Sequence, residues 1–214
     1  MTNPYFSIKA SKVFLIASFF TFFSIGEVSA QEIEKHLVYL SSELNLGNYV
    51  GIATDFNYIY EETYTAKFGL NANFRRSPDQ PSDYNSGLAG LVTYGAASAR
   101  EITVDVHLMV GKLYNLNTRK TLRVNAAVGV GYTSVETVEN WQKTGSNFFS
   151  GNYTYDIRSK STASLIINPK LEIPLGRIFG FTVSPSAILN SESSYYGIGV
   201  GYMIGLIRSK PVSK

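Results

Sequence analysis

The chain contains no cysteine, two histidines and few charged residues. Asp, Glu, Lys and Arg make up 16% of its 214 residues, against roughly a quarter in typical soluble domains. The lack of cysteine excludes a disulfide framework and a lipid-modified N-terminal cysteine, and two histidines alone do not favour a metal site. A net charge of +3 without a basic block gives no reason to expect nucleic acid as a partner.

The N-terminal segment has the pattern of a secretory signal peptide. Lys9 and Lys12 precede the apolar run "VFLIASFFTFFSI", and small residues at Ser29 and Ala30 end the segment. The run is shorter than the roughly 20 residues that a membrane-spanning helix requires. We therefore predict a cleaved signal peptide over 1–30, with a membrane anchor as the less favoured alternative.

The rest of the chain alternates apolar and small or polar residues with a period of two, which indicates β-strands. In the last such segment, "YYGIGVGYMIGLI", large apolar residues alternate mostly with glycine. Seven earlier segments have a related pattern: "HLVYLSSELNL", "YVGIATDFNYIY", "TYTAKFGLNANFR", "ITVDVHLMV", "LRVNAAVGVGYT", "TASLIINPKLEI" and "FGFTVSPSAIL". Ordinary strands average about 5 to 6 residues, whereas a tilted strand needs about 9 to 11 to cross a bilayer. These segments have the longer length.

Strands in lipid have to close on themselves, because an open edge would leave backbone groups without partners. We therefore predict an all-β fold, an eight-stranded antiparallel up-and-down transmembrane β-barrel. A soluble lipocalin-like binding barrel is the alternative, because alternation does not show which face lies outside. The scarcity of Lys and Glu on the polar face favours the membrane. Aromatic residues near the strand ends suit interfacial girdles, namely Tyr58, Tyr60, Tyr64, Phe74, Phe179 and Tyr196.

In this pattern the chain resembles the bacterial outer-membrane β-barrel proteins, in particular the small eight-stranded OmpA-like and OmpX-like group. The resemblance covers nearly all of 31–208, the predicted barrel domain, and leaves 209–214 as a tail. It implies export to the outer membrane, contact with outer-membrane lipid and insertion by the outer-membrane assembly machinery. One departure is the C-terminal "RSKPVSK", where many members end on an aromatic that this machinery reads. Tyr196 or Tyr202 is the alternative signal.

The resemblance also implies that both termini are periplasmic, which places the two long connections on the extracellular side. These connections are predicted over 77–100 and 136–153. The count requires 87–99 to be a loop element, and a ninth strand there is the alternative. Pro169 and Pro185 lie within predicted strands, where we expect them to mark bulges near the rim.

Charged side chains of both signs fall on the predicted lumen face, where they form either a structural network or a catalytic cluster. Buried charges normally require partners, which favours the structural network. In "DVH", Asp105 and His107 share this face, and a carboxylate can orient a histidine base. No matched nucleophile is identifiable from spacing, so we predict that the protein is not an enzyme. The lumen set is Glu43, Asp55, Lys67, Asp105, His107, Arg123, Lys170 and Glu172.

Trp141, Phe148 and Phe149 lie in the predicted outer loop, where they either contact a surface protein or glycan or fold onto the rim. We predict a structural or surface-interaction role for a barrel with a filled lumen and two long extracellular loops. The alternatives are a small solute channel and, third, a lumen-edge hydrolase or lipid-modifying enzyme. No cofactor is expected, because the glycines alternate along strands and form no phosphate-binding loop.

Overall fold

The computed structural model describes residues 35–88, 98–145 and 151–209, and these residues form a closed antiparallel barrel of eight strands. Each strand pairs with its neighbours in the chain, and the first pairs with the last. The predicted all-β, up-and-down fold is confirmed. The predicted signal peptide over 1–30 lies outside the described residues, as does 210–214 of the tail. The strands are β1 (His36–Gly47), β2 (Val50–Tyr60), β3 (Tyr64–Arg76), β4 (Arg100–Asn115), β5 (Arg123–Lys143), β6 (Tyr153–Pro174), β7 (Phe179–Leu189) and β8 (Tyr195–Leu206).

No strand lies between β3 and β4 in the ring, because these two strands pair directly along their length. The connection between them therefore does not contribute a ninth member to the barrel formed by the described residues. Of the segment 87–99 that was the candidate for this strand, 89–97 lie outside the described residues. An even count of eight also returns the chain to the end of the barrel where it began.

The alternating direction of the strands gives the barrel two distinct ends. The loop end carries the connections after β1, β3, β5 and β7. The termini end carries the other connections, the start of β1 and the end of β8. Both long connections lie at the loop end, as predicted. The predicted loop over 136–153 is wrong in extent, because β5 continues to Lys143 and β6 begins at Tyr153. The polar residues at the end of β5 and the start of β6 pair with each other beyond the ring. They lack the apolar alternation of a lipid-facing strand, and the sequence pattern therefore predicted a loop.

Pro169 of β6 and Pro185 of β7 occupy opposite positions within the wall of the barrel. The β6–β7 register is the same on both sides of a gap in the pairing at these positions. Two facing prolines remove two backbone donors, which interrupts the ladder without inserting a residue. The predicted bulges are therefore wrong. The pairing of β5 with β6 instead shifts between Glu139 and Gln142, in the part of the hairpin beyond the ring.

The outer surface of the barrel is a continuous exposed belt of large apolar side chains. Leu108, Val110 and Val130 are each more than 60% exposed, at 63%, 66% and 68%. Soluble proteins rarely expose apolar patches of this extent, whereas a membrane-spanning barrel requires an apolar band. The belt therefore fits a transmembrane barrel and disfavours the lipocalin-like alternative. The aromatic girdles are Tyr58, Tyr60, Tyr64 and Phe179 at the termini end, and Phe74 and Tyr196 at the loop end.

Among the residues that the structure describes, no helix has the length and apolar character needed to span a membrane.

Candidate functional site

The structure places all eight predicted lumen charges inside the barrel, each at most 4% exposed. The strand alternation turns them inward, because each belongs to the face opposite the apolar belt. The set contains four carboxylates and four basic groups including histidine, so the charges balance when the histidine is protonated. The eight residues are Glu43, Asp55, Lys67, Asp105, His107, Arg123, Lys170 and Glu172.

Lys170 is the centre of the network and is fully buried. Its Nζ lies 2.8 Å from Asp55 Oδ2 and 3.1 Å from Glu43 Oε1, and it donates to Ser41 Oγ at 2.9 Å. Glu43 also accepts a hydrogen bond from Ser184 of β7. A buried ammonium is stable only when such partners replace water. Lys170 therefore links β6 to β1 and β2 across the lumen.

His107 lies between two carboxylates. Its Nδ1 is 2.6 Å from Asp105 Oδ1, and its Nε2 is 3.2 Å from Asp55 Oδ1. Each ring nitrogen therefore has a carboxylate oxygen as its hydrogen-bond partner, and this geometry suits an imidazolium that donates to two ionised carboxylates. The second Asp105 oxygen accepts from Thr133 Oγ1 at 2.9 Å and Ser164 Oγ at 3.0 Å.

This geometry disfavours the catalytic interpretation of Asp105 and His107. A general base needs a ring nitrogen that can reach the proton of a substrate, and both His107 nitrogens are occupied by carboxylates. The nearby hydroxyls of Thr133 and Ser164 bond to Asp105 and not to the imidazole. The arrangement is that of a buried ion cluster.

Arg123 and Glu172 form a second cluster toward the termini end. Arg123 Nε donates to Glu172 Oε2 at 2.6 Å, and its Nη1 donates to the backbone oxygen of Ile207 at 2.5 Å. Glu172 Oε1 accepts from the Tyr39 hydroxyl at 2.5 Å and from Asn125 Nδ2 at 2.9 Å. The cluster joins β1, β5 and β6 to the end of β8. Sequence reasoning missed Tyr39, because the other tyrosines were interpreted as girdle residues.

Lys67 is the weakest member of the network. Within the described part of the chain no carboxylate lies within ion-pair distance of its ammonium, which donates to Asn168 Oδ1 at 3.1 Å. Asn168 has no distinguishing mark in the sequence beyond its place on the lumen face.

Apolar side chains fill the lumen beside the charges. One cluster closes the termini end, where Ile207 follows the last strand, and a second extends inward from the Tyr49 turn at the loop end. The described part of the interior is therefore packed as the core of a small barrel. The first cluster contains Leu37, Tyr39, Ile59, Leu113, Met203 and Ile207, and the second contains Tyr49, Met109, Ala127, Ile166, Ile188 and Tyr195.

A third polar group lies at the mouth of the loop end. Glu101 accepts from Arg75 Nη2 at 2.9 and 3.0 Å, from Ser193 Oγ at 2.7 Å and from the Tyr49 hydroxyl. The Arg75 guanidinium also lies 4.4 Å from the centroid of the Tyr49 ring. Burial and, to a smaller extent, the hydrogen bond to Glu101 raise the pKa of Tyr49 to about 12. Tyr49 therefore stays neutral as it covers the mouth.

Beyond the mouth, a loop latch of Asp83, Lys143, Asn152 and Tyr153 ties the β3–β4 connection to the β5–β6 hairpin. The Asp83 carboxylate accepts from Lys143 Nζ at 2.6 Å and from the Tyr153 hydroxyl at 2.7 Å. Asn152 Nδ2 donates to the Asp83 backbone oxygen at 2.6 Å. The hydrogen bonds from Lys143 and Tyr153 lower the pKa of Asp83.

Trp141 lies on β5 within an aromatic cluster and not in a loop. Its ring centroid is 5.1 Å from that of Tyr84, 5.2 Å from Tyr155 and 6.1 Å from Tyr153. The tryptophan therefore packs the hairpin against the β3–β4 connection. Phe148 and Phe149, the other predicted loop contacts, lie outside the described residues. Sequence reasoning missed the three tyrosines, because their alignment depends on the pairing of the hairpin.

No protein-family model matches the chain, and neither does any curated protein. Among solved structures, the chain is similar to the crystal structure of Ail, the attachment invasion locus protein of Yersinia pestis. The identity is 11%, over 79% of this chain and 95% of that chain, with a TM-score of 0.42. Ail in a phospholipid bilayer nanodisc gives 12% identity, 79% and 98% coverage and a TM-score of 0.45. The N-terminal β-barrel domain of Pseudomonas aeruginosa OprF has 8% identity, over 80% of this chain and 98% of that chain, with a TM-score of 0.42.

Proposed function

We propose that this protein is a non-enzymatic barrel of the bacterial outer membrane that binds other molecules at the cell surface through its β5–β6 hairpin. The apolar belt supports the membrane location, and the filled lumen supports a structural role for the interior. The loop end then faces the outside of the cell, because outer-membrane barrels have their longer connections there. The observation that carries the surface role is the projection of the hairpin beyond the ring.

The hairpin leaves the ring because its neighbours end earlier. The pairing of β4 with β5 extends to Glu136, and the pairing of β7 with β6 begins at Leu165. Residues 137–143 and 153–158 therefore continue as a two-stranded ribbon, whereas 159–164 pair with the part of β5 that lies in the ring. Along 156–164, no strand among the described residues pairs with the edge of β6 opposite β5.

An unpaired strand edge binds an extended segment of another protein by adding it as a further strand. Ile157 is 66% exposed on the ribbon and offers an apolar contact beside this edge. The loop latch and the 3.3 Å ion pair between Arg158 and Glu139 hold the ribbon in place. A preformed edge requires little ordering upon binding. Because a strand edge pairs with the backbone groups of a peptide, it favours a surface protein as the partner over a glycan.

Shortening the hairpin tests this role. Replacement of 138–157 by Asn-Gly joins Thr137 to Arg158, which are partners in the register, through a two-residue turn. Cells that display either form are compared for attachment to protein-coated and glycan-coated surfaces. We expect attachment to protein to fall to background in the shortened form. Equal attachment by the two forms, with folding verified by heat-dependent electrophoretic mobility, would contradict the proposal.

The solute-channel alternative makes a separate prediction. Aqueous channels are characteristic of barrels of about 16 or more strands, whereas side chains fill a barrel of eight. The purified protein in planar bilayers should therefore show no stable conductance steps. Large, reproducible steps would favour the channel instead.

A further inference from the structure

Two arginines oppose each other on the outer surface of the barrel at the loop end. Arg76 is the last residue of β3, Arg100 is the first of β4, and the two are direct partners in the register. The Cβ atoms of such partners lie about 4.5 to 5.5 Å apart, and like charges there repel. The adjacent pair on the inner face, Arg75 and Glu101, has opposite charges joined at 2.9 Å.

Within the described ranges, neither guanidinium has a carboxylate within ion-pair distance. The sequence of 89–97, in the connection between the two strands, contains no Asp or Glu. Arg76 Nε donates to the Gln80 side chain at 2.8 Å, and the Arg100 guanidinium lies 5.0 Å from the centroid of the Phe74 ring. These contacts orient both guanidinium groups but neutralise neither charge, so the pair lacks an anion among the residues that the structure describes.

An apolar row lies directly below the arginine pair, on the side of the membrane belt. Phe74 is the register partner of both Val50 and Ile102, and the three side chains are 39%, 46% and 40% exposed respectively. A cleft of about 820 Å³ opens beside the row, and Arg76 and Arg100 contribute to its lining. Positive charge above an apolar surface complements an anionic headgroup above an acyl chain.

We propose that Arg76 and Arg100 together bind the phosphate group of an anionic membrane lipid, whose acyl chain lies against Val50, Phe74 and Ile102. This inference rests on the proposed membrane location. Planar guanidinium groups bind phosphate oxygens through paired hydrogen bonds, and two of them hold one phosphate from both sides. The bound phosphate also removes the repulsion between the arginines.

Lipid retention by the full chain tests the site. The barrel is folded in detergent micelles that contain equal amounts of phosphatidylglycerol and phosphatidylcholine, and native mass spectrometry measures the lipid that each protein retains. The wild type should prefer phosphatidylglycerol. In R76Q/R100Q the retention should weaken about tenfold, because the charge-assisted hydrogen bonds are lost. R100K keeps the positive charge but loses the paired donors of the planar guanidinium, and its lipid retention should be intermediate.

The matched control is R119Q/R177Q, which removes the same charge from exposed turns at the termini end. It should keep the wild-type preference, and an equal loss in this control would overturn the assignment. Added inorganic phosphate should leave the lipid bound, since displacement would identify a site for free phosphate. Absence of preference in a folded wild-type barrel would overturn this inference alone. Failure to fold in micelles would instead contradict the proposed membrane function.

Discussion

Gly69 of β3 lies directly opposite His107 of β4, and a Cβ atom on Gly69 would be 2.2 Å from His107 Nε2. The same Cβ would be 2.2 Å from Asp55 Oδ1, so the glycine occupies the point where the imidazole meets its second carboxylate. Gly131 leaves space for Asp105 in the same way, since a Cβ atom on Gly131 would be 2.6 Å from Asp105 Oδ2. The small residues of the lumen face therefore make room for the ion cluster.

Gly69→Ala should lower the free energy of unfolding by about 1 to 3 kcal/mol, because the methyl group displaces His107 or Asp55 from the buried cluster. Denaturant unfolding in lipid bilayers measures the change. Gly176→Ala is the control, because a Cβ there has no atom of the described residues within 4 Å. Equal effects of the two substitutions would show that the space at Gly69 is not required.

Arg123→Ala should cost about 3 to 5 kcal/mol of stability, because it leaves Glu172 buried and unpaired. Replacing both Arg123 and Glu172 by Met should cost less than Arg123→Met alone, since no uncompensated charge remains. A double-mutant cycle from unfolding curves gives the coupling between them. A double variant as unstable as the sum of the two single variants would refute this pairing.

Val128→Arg should destabilise the barrel by about 2 to 4 kcal/mol, the cost of arginine at the lipid-facing midplane. Val128 is 53% exposed near the middle of the part of β5 that lies within the ring. Val50→Arg, at the loop-end border, should cost about 0 to 1 kcal/mol. The same unfolding measurement compares them, and a reversed order would mean that the membrane boundary is misplaced.

The loop latch should open in acid. Because hydrogen bonds from Lys143 and Tyr153 lower the pKa of Asp83, its contribution is present above the ordinary carboxyl value of about 3.9. The contribution is lost as pH falls through the lowered value. Trp141 is the single tryptophan and packs on Tyr84 and Tyr153, so its fluorescence reports the opening. Asp83→Asn should remove this acid transition, and its persistence would assign it to another group.

The inner and outer faces of the strands could be predicted because they depend on residues two positions apart. The alternation around Val128 and Val200 assigns both to the outside, and the structure places both there. The same alternation assigns Asn125 to the lumen. Alternation alone does not show what surrounds Asn125 in the lumen. Asn125 is fully buried and donates to Glu172 at 2.9 Å.

The sequence by itself determined the faces of the strands and, once eight strands are counted, the end of the barrel that carries the long connections. These features follow from local periodicity and from the alternating direction of consecutive strands. Only the tertiary structure decided the partners of the buried charges. Lys170 meets Asp55 and Glu43 from strands that are not its neighbours in the ring. Such contacts cross the lumen and depend on closure and on the summed register of eight pairings, which no short segment encodes.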